Sequence, residues 1–268
     1  MARLVARAKE LREQLYPVLK ASAFLERGVL TPEEFVAAGD ELVYKCPTWA
    51  WSGGEGPKRK HYLPDEKQFL VTNNVPCGER CAVLEGSTIE SDETDDAWIT
   101  TSVEGSSRPA AEVGEISTMP AASADLAALE ETGLDGADDE AVSREDNILR
   151  TRTYDLSITY DKYWQTPRMW LFGYDEQNQP LTQEKVFEDV ISDYAKRTVT
   201  FEMHPHLSSA HASIHPCKHP NVMKRILDNI SRADAPPPSP DQALFIFLKF
   251  IQNVVPTINY DFTLEARV

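Results

Sequence analysis

Between residues 81 and 148 the chain carries two basic and eighteen acidic side chains, and this one segment holds the whole formal net charge of -16. Residues 1–80 sum to +1 and residues 149–268 to -1, so the flanks are close to neutral. The segment is rich in Ser, Thr, Ala and Gly, and Trp98 is its only aromatic residue. Like charges repel, and so few large apolar groups cannot offset the entropy of an ordered chain. A packed core is therefore expected from the flanks alone, with 81–148 as a disordered acidic insertion. Such an acid excess also excludes nucleic acid as a partner of the whole chain.

At 268 residues the chain is long enough for one substantial core plus a mobile segment. No apolar run approaches the ~18 residues of a membrane span, and the N-terminus lacks the continuous apolar stretch of a secretory signal. Four cysteines (Cys46, Cys77, Cys81, Cys217) are too few and too dispersed for a secreted disulfide framework. A reducing, cytoplasmic compartment fits this usage.

Periodicity places the elements. Thr31 reads as an N-cap, with Pro32 at the first helical position. Gln68–Val71 reads as a strand, and Tyr154–Tyr160 alternates apolar with polar residues as a half-buried strand does. Met169–Tyr174 reads as a more fully buried strand. Thr182 can cap a helix to about Ala195, with Val186, Phe187, Val190 and Ile191 inward. Thr198–Phe201 reads as another strand, and Val222, Ile226 and Ile230 mark a helix. Asp241–Val255 reads as an apolar core helix stopped by Pro256. Strands and helices in this order predict an α+β fold with an antiparallel sheet and flanking helices.

Five of the six histidines (His204, His206, His211, His215, His219) crowd around Cys217. Zinc ligands on a helix need i, i+4 spacing, which His211, His215 and His219 have, but Pro216 and Pro220 forbid a helix through them. Cys77-x-x-x-Cys81 with Cys46 and His61 is likewise a weak ligand pattern, so no metal is expected. A turn just before a helix that begins near Pro220 instead favours a reactive thiol. The helix N-terminus, Lys218 and a protonated His215 or His219 would all favour the thiolate of Cys217. A small buried hydrophobe is the competing reading of Cys217, and spacing alone leaves the two even.

Longer stretches decide between them. "HPCKHPNVMKRIL" (215–227), "RTRTYDLSITYDKYWQTPRMWLFGYDE" (150–176), "TPEEFVAAGDELV" (31–43), "CPTWAW" (46–51), "KQFLVTNNVPC" (67–77) and "FLKFIQNVVPTINYDFT" (247–263) closely resemble the autophagy-related protein 3 family, the ubiquitin-like-conjugating enzymes of autophagy. The resemblance covers nearly everything outside the acidic insertion. It implies a ubiquitin-conjugating-enzyme-like core interrupted by a long flexible region. It implies that Cys217 takes an autophagy ubiquitin-like modifier from its activating enzyme as a thioester, then passes it to the amine of phosphatidylethanolamine. It also implies, through "KRTVTFE" (196–202), that Thr198 stabilises the oxyanion. His215, two residues before the nucleophile, is expected to orient rather than to act as a base. No cofactor is implied.

The same resemblance divides the chain. Residues 1–20 are expected to form an amphipathic membrane-binding helix, in which Leu4, Ala8, Leu11 and Leu15 share a stripe about 60° wide. Residues 21–80 and 149–268 form the two parts of the core. Within 81–148, Leu126 and Leu129 in "SADLAALEE" (123–131) are the expected anchors for the activating enzyme. Phosphatidylethanolamine-containing membranes and a conjugation-promoting complex complete the partners, with transient residence at autophagosomal precursor membranes. Some family members carry a Trp-x-x-Leu motif between the last two helices; "SRADAPPPSPDQ" (231–242) has no tryptophan, and "DDAWITT" (95–101) is only a degenerate match. Two rival functions are a non-catalytic membrane adaptor for the same modifier and a His/Cys metal-binding protein.

Overall fold

The computed structural model describes residues 16–82, 151–195, 197–232 and 236–261. The chain divides into two units, and all the described residues belong to the one formed by Met1–Ser102 and Arg150–Val268. Leu4, Leu11, Leu15, Leu126 and Leu129 lie outside the described residues, as does nearly all of segment 81–148.

The elements run α1 (Phe24–Arg27), α2 (Pro32–Lys45), β1 (Ala50–Ser52), β2 (Phe69–Cys77), β3 (Arg152–Asp161), β4 (Thr166–Tyr174), α3 (Gln183–Phe187), α4 (Ser192–Ala195), β5 (Val199–Met203), β6 (Ala210–Ile214), α5 (His219–Arg232) and α6 (Ala243–Gln252). The six strands form one sheet in the order β1-β2-β3-β4-β6-β5, every pairing antiparallel. This is the expected α+β class, a sheet with flanking helices.

Local chemistry explains the strongest elements. The Thr31 hydroxyl accepts from Glu34 N at 3.0 Å while the Glu34 carboxylate accepts from Thr31 N at 2.8 Å, a reciprocal cap with Pro32 at the first turn. In α6 Leu244, Phe245, Phe247, Leu248, Phe250 and Ile251 are all buried, so this helix is core on nearly every side, with Lys249 exposed and Gln252 half-buried. It packs with α2 and with Leu156, Ile158 and Met169 of the sheet in one apolar cluster. No helix among the described residues is long and apolar enough to cross a membrane.

Two expectations change. The helix from Thr182 to Ala195 is two short helices, and Thr182 makes no capping bond with its side chain. Between them the Asp189 carboxylate is fully buried; Tyr154 donates to it at 2.6 Å and Arg152 Nη1 approaches both oxygens at 3.1 and 3.2 Å. A continued helix would carry this side chain past the two partners that make its burial tolerable. Strand β3 is also buried on both faces over Ser157–Tyr160, because the segment after β5 folds back over it.

That covering segment explains three of the histidines. His204 Nε2 lies 3.1 Å from Ser157 Oγ, and its ring packs edge-on against Trp170 and Phe69. His206 stacks on Phe69, and His211 tilts against Phe172 and His204. Among the described residues no three His, Cys, Asp or Glu side chains could share a metal ion. Burial pushes His204 down to about 2 and His206 to about 4. Because these folded-state values lie below the ordinary 6.5, stability is full above pH 6.5 and is lost as pH falls toward them. Together with His219 below, the cost is at most about 4 kcal/mol at pH 5.5, roughly 1.4 kcal/mol per histidine. The urea midpoint is expected to drop clearly between pH 7 and pH 5.5; a flat profile contradicts this packing.

Candidate active site

Strand β6 delivers Cys217. His215 N donates to Thr198 O at 2.7 Å, one step past the last β5–β6 pair, Val199 with Ile214. Pro216 holds His215 extended (φ -67°, ψ 126°), and the chain turns through one 3-10 turn, Pro216–Lys218, directly into α5. Cys217 N donates to His215 Nδ1 at 3.2 Å. This bond closes the turn and ties the ring to it. An imidazole nitrogen that accepts carries no proton, so an imidazolium at His215 cannot make this bond.

His219 corrects one expectation. It opens α5, one residue earlier than expected, and its side chain is fully buried rather than beside the thiol as a cation. Nδ1 bonds the Pro167 carbonyl at 3.0 Å, and the ring packs on Phe247 and Phe250. Burial pushes its pKa down to about 3, so it stays neutral at physiological pH. The positive end of α5 and the exposed Lys218 are the aids that remain near Cys217.

Accessibility singles out the thiol. Cys46, Cys77 and Cys81 are buried, and burial raises Cys46 and Cys77 to about 11 each; Cys217 alone is partly exposed. Those three cysteines are therefore packing residues, and the thiols of Cys46 and Cys77 are held protonated and unreactive.

Thr198 lies one residue before β5, and its carbonyl takes the His215 bond, so its backbone is fastened to the active-site turn. Its side chain is buried, and its hydroxyl donates to the Tyr194 carbonyl at 2.8 Å. In this conformation that proton is committed, so donation to an oxyanion requires the hydroxyl to leave Tyr194.

Sequence reasoning missed Trp164. It sits in the β3–β4 turn, where Asp161 Oδ1 accepts from Tyr163 N and Trp164 N, and its ring lies 6.1 Å from that of His215. The local signal was Asp161 followed by the turn and Gln165 at φ 57°, but nothing in it pointed toward Cys217.

Fold and thiol together define a class of protein: an α+β core that presents one accessible cysteine in a histidine-capped turn ahead of a helix. A family model described as autophagocytosis associated protein, active-site domain, matches residues 34–262. Autophagy-related protein 3 of Arabidopsis thaliana is 45% identical, with 91% of this chain and 90% of that protein covered. The same-named protein of Dictyostelium discoideum is 41% identical over 94% of each, and that of Schizosaccharomyces pombe 35% identical over 98% and 99%. The chain belongs to the autophagy-related protein 3 family.

Proposed function

We propose that this chain is the conjugating enzyme of an autophagy ubiquitin-like modifier, with Cys217 as nucleophile and phosphatidylethanolamine as acceptor. The observation that carries the reading is the single accessible thiol, held at the start of α5 inside the matched active-site domain. The Cys217 thiolate attacks the modifier's C-terminal acyl group on its activating enzyme; one C–S bond breaks as another forms. The neutral amine of the lipid then attacks that carbonyl. The C–N bond forms, the C–S bond breaks, and the proton lost by nitrogen balances the thiolate released. His215 orients the turn throughout.

Leu126 and Leu129 serve in this reading as anchors for the activating enzyme, and Leu4, Leu11 and Leu15 as the membrane contact. A conjugation-promoting complex assists transfer, and the protein is cytoplasmic with transient residence at autophagosomal precursor membranes.

The test is wild-type protein with modifier, activating enzyme and ATP on a non-reducing gel. A reductant-sensitive adduct mapped to Cys217 is expected. A non-catalytic adaptor would bind the modifier and yield no adduct.

Thr198 supplies the oxyanion donor once its hydroxyl turns from Tyr194. One such donor is worth about 3 kcal/mol, or roughly a hundredfold in rate. Thr198→Ala is thus expected to slow discharge of the preloaded thioester to that extent, with Thr198→Ser retaining most of the rate. Wild-type discharge by Thr198→Ala removes the role.

A further inference from the structure

A cleft of about 450 Å³ opens beside the active-site turn. It is lined by Glu26 and Arg27 at the end of α1, by Asn221 and Lys224 of α5, and by Tyr163 and Trp164 of the β3–β4 turn. The end of α1 lies close to α5 because Gly28, in the left-handed region at φ 68°, turns the chain against its first turns; a Cβ there would collide with Pro220 O and Lys224 N. Pro220, three residues after Cys217, also lines the cleft. A chain of rings links it to the Cys217 turn: Tyr163 against Trp164 at 5.0 Å, Trp164 against His215 at 6.1 Å, and His215 accepting from the backbone N–H of Cys217. At the outer rim Tyr16 packs edge-on against Tyr163 at 4.9 Å, and Tyr16 directly follows the amphipathic stretch 1–15.

The lining has the chemistry of a zwitterion site. Among the described residues no acidic side chain pairs with Arg27, while Lys224 pairs with Asp228 one turn on. A guanidinium and an ammonium line one space with a single carboxylate, Glu26, which suits one phosphodiester charge rather than two. The two aromatic faces suit a cationic amine.

We propose that this cleft is the headgroup subsite of the acceptor: Arg27 and Lys224 hold the phosphate of phosphoethanolamine, and Tyr163 and Trp164 guide its amine toward Cys217. The inference rests on the conjugating function proposed above. It gives that function a specificity site which ethanolamine alone cannot fill, and it sets that site at the point where the N-terminal segment joins the core.

The preloaded Cys217 thioester is chased in solution, without membrane, by glycerophosphoethanolamine or by ethanolamine. The readout is the ratio of the two discharge rates in one preparation, which is independent of how much enzyme is loaded. Wild-type protein is expected to favour glycerophosphoethanolamine, and Arg27→Gln with Lys224→Gln to lower the ratio about tenfold, the loss expected for charge-assisted bonds to phosphate. An unchanged ratio in the variant, or no preference in the wild type, overturns the subsite while leaving the conjugating function intact. Inorganic phosphate competing as well as glycerophosphoethanolamine would show a bare phosphate site and overturn the headgroup assignment. Failure to form any thioester removes the function and the subsite together.

Discussion

Cys217→Ser is expected to trap the modifier as an oxygen ester that survives thiol reductant, and Cys217→Ala to take up none. The loss should be complete, because the other three thiols are buried and two are held near pKa 11. No other sulfur can stand in. Both substitutions preserve the turn, since its closing bond runs from the backbone of residue 217 to His215 Nδ1 and does not use the thiol. A lost adduct therefore reports chemistry rather than folding. Gels with and without reductant, together with mapping of the modified peptide, decide the matter. An adduct of normal yield on Cys217→Ala contradicts the assignment.

The second large effect is on stability. Asp189 is fully buried, with Arg152 and Tyr154 bound to it and Arg80 3.4 Å away. Arg80 and Arg152 stand on opposite sides of the acidic insertion, so one carboxylate fastens both of its junctions to the core. Thr257 also donates to the Asp189 carbonyl at 2.8 Å, tying in the segment after α6. Asp189→Ala leaves the Arg152 guanidinium, 9% exposed, without its buried partner and with only the exposed Glu188 carboxylate, at 2.7 Å, as acidic contact. Removing one side of such a pair costs about 3–5 kcal/mol, a large part of the roughly 5–15 kcal/mol that holds a domain together. Urea unfolding of the variant measures this directly. A loss under about 1 kcal/mol shows that the carboxylate is dispensable.

Much of this architecture was legible because local rules and burial agree. Thr31, Pro32 and Glu34 announce a helix start by hydrogen-bond chemistry alone, and the apolar run around Phe247 leaves a core helix as the best outcome. The turn at Cys217 was readable from Pro216 and Pro220. Strands β1 and β6 were not. Ala50–Ser52 and Ala210–Ile214 are short and rich in Ala, Ser and His, and neighbouring strands rather than propensity hold them in the sheet. Asp189 was invisible for a related reason: an aspartate in an amphipathic stretch reads as a solvent residue until its distant arginine is known. His219 failed similarly, since only the fold shows that it lies under Phe247 and Phe250 rather than beside the thiol.

The most direct measurement is a chase from the loaded state. Protein carrying the modifier on Cys217 is freed of ATP and activating enzyme, then mixed with liposomes containing phosphatidylethanolamine, and both products are weighed by intact mass. The modifier is expected to be recovered as a lipid amide while the protein returns to the mass of the free thiol. Recovery of the modifier only as its free acid, or persistence of the adduct in the presence of the lipid, would contradict it.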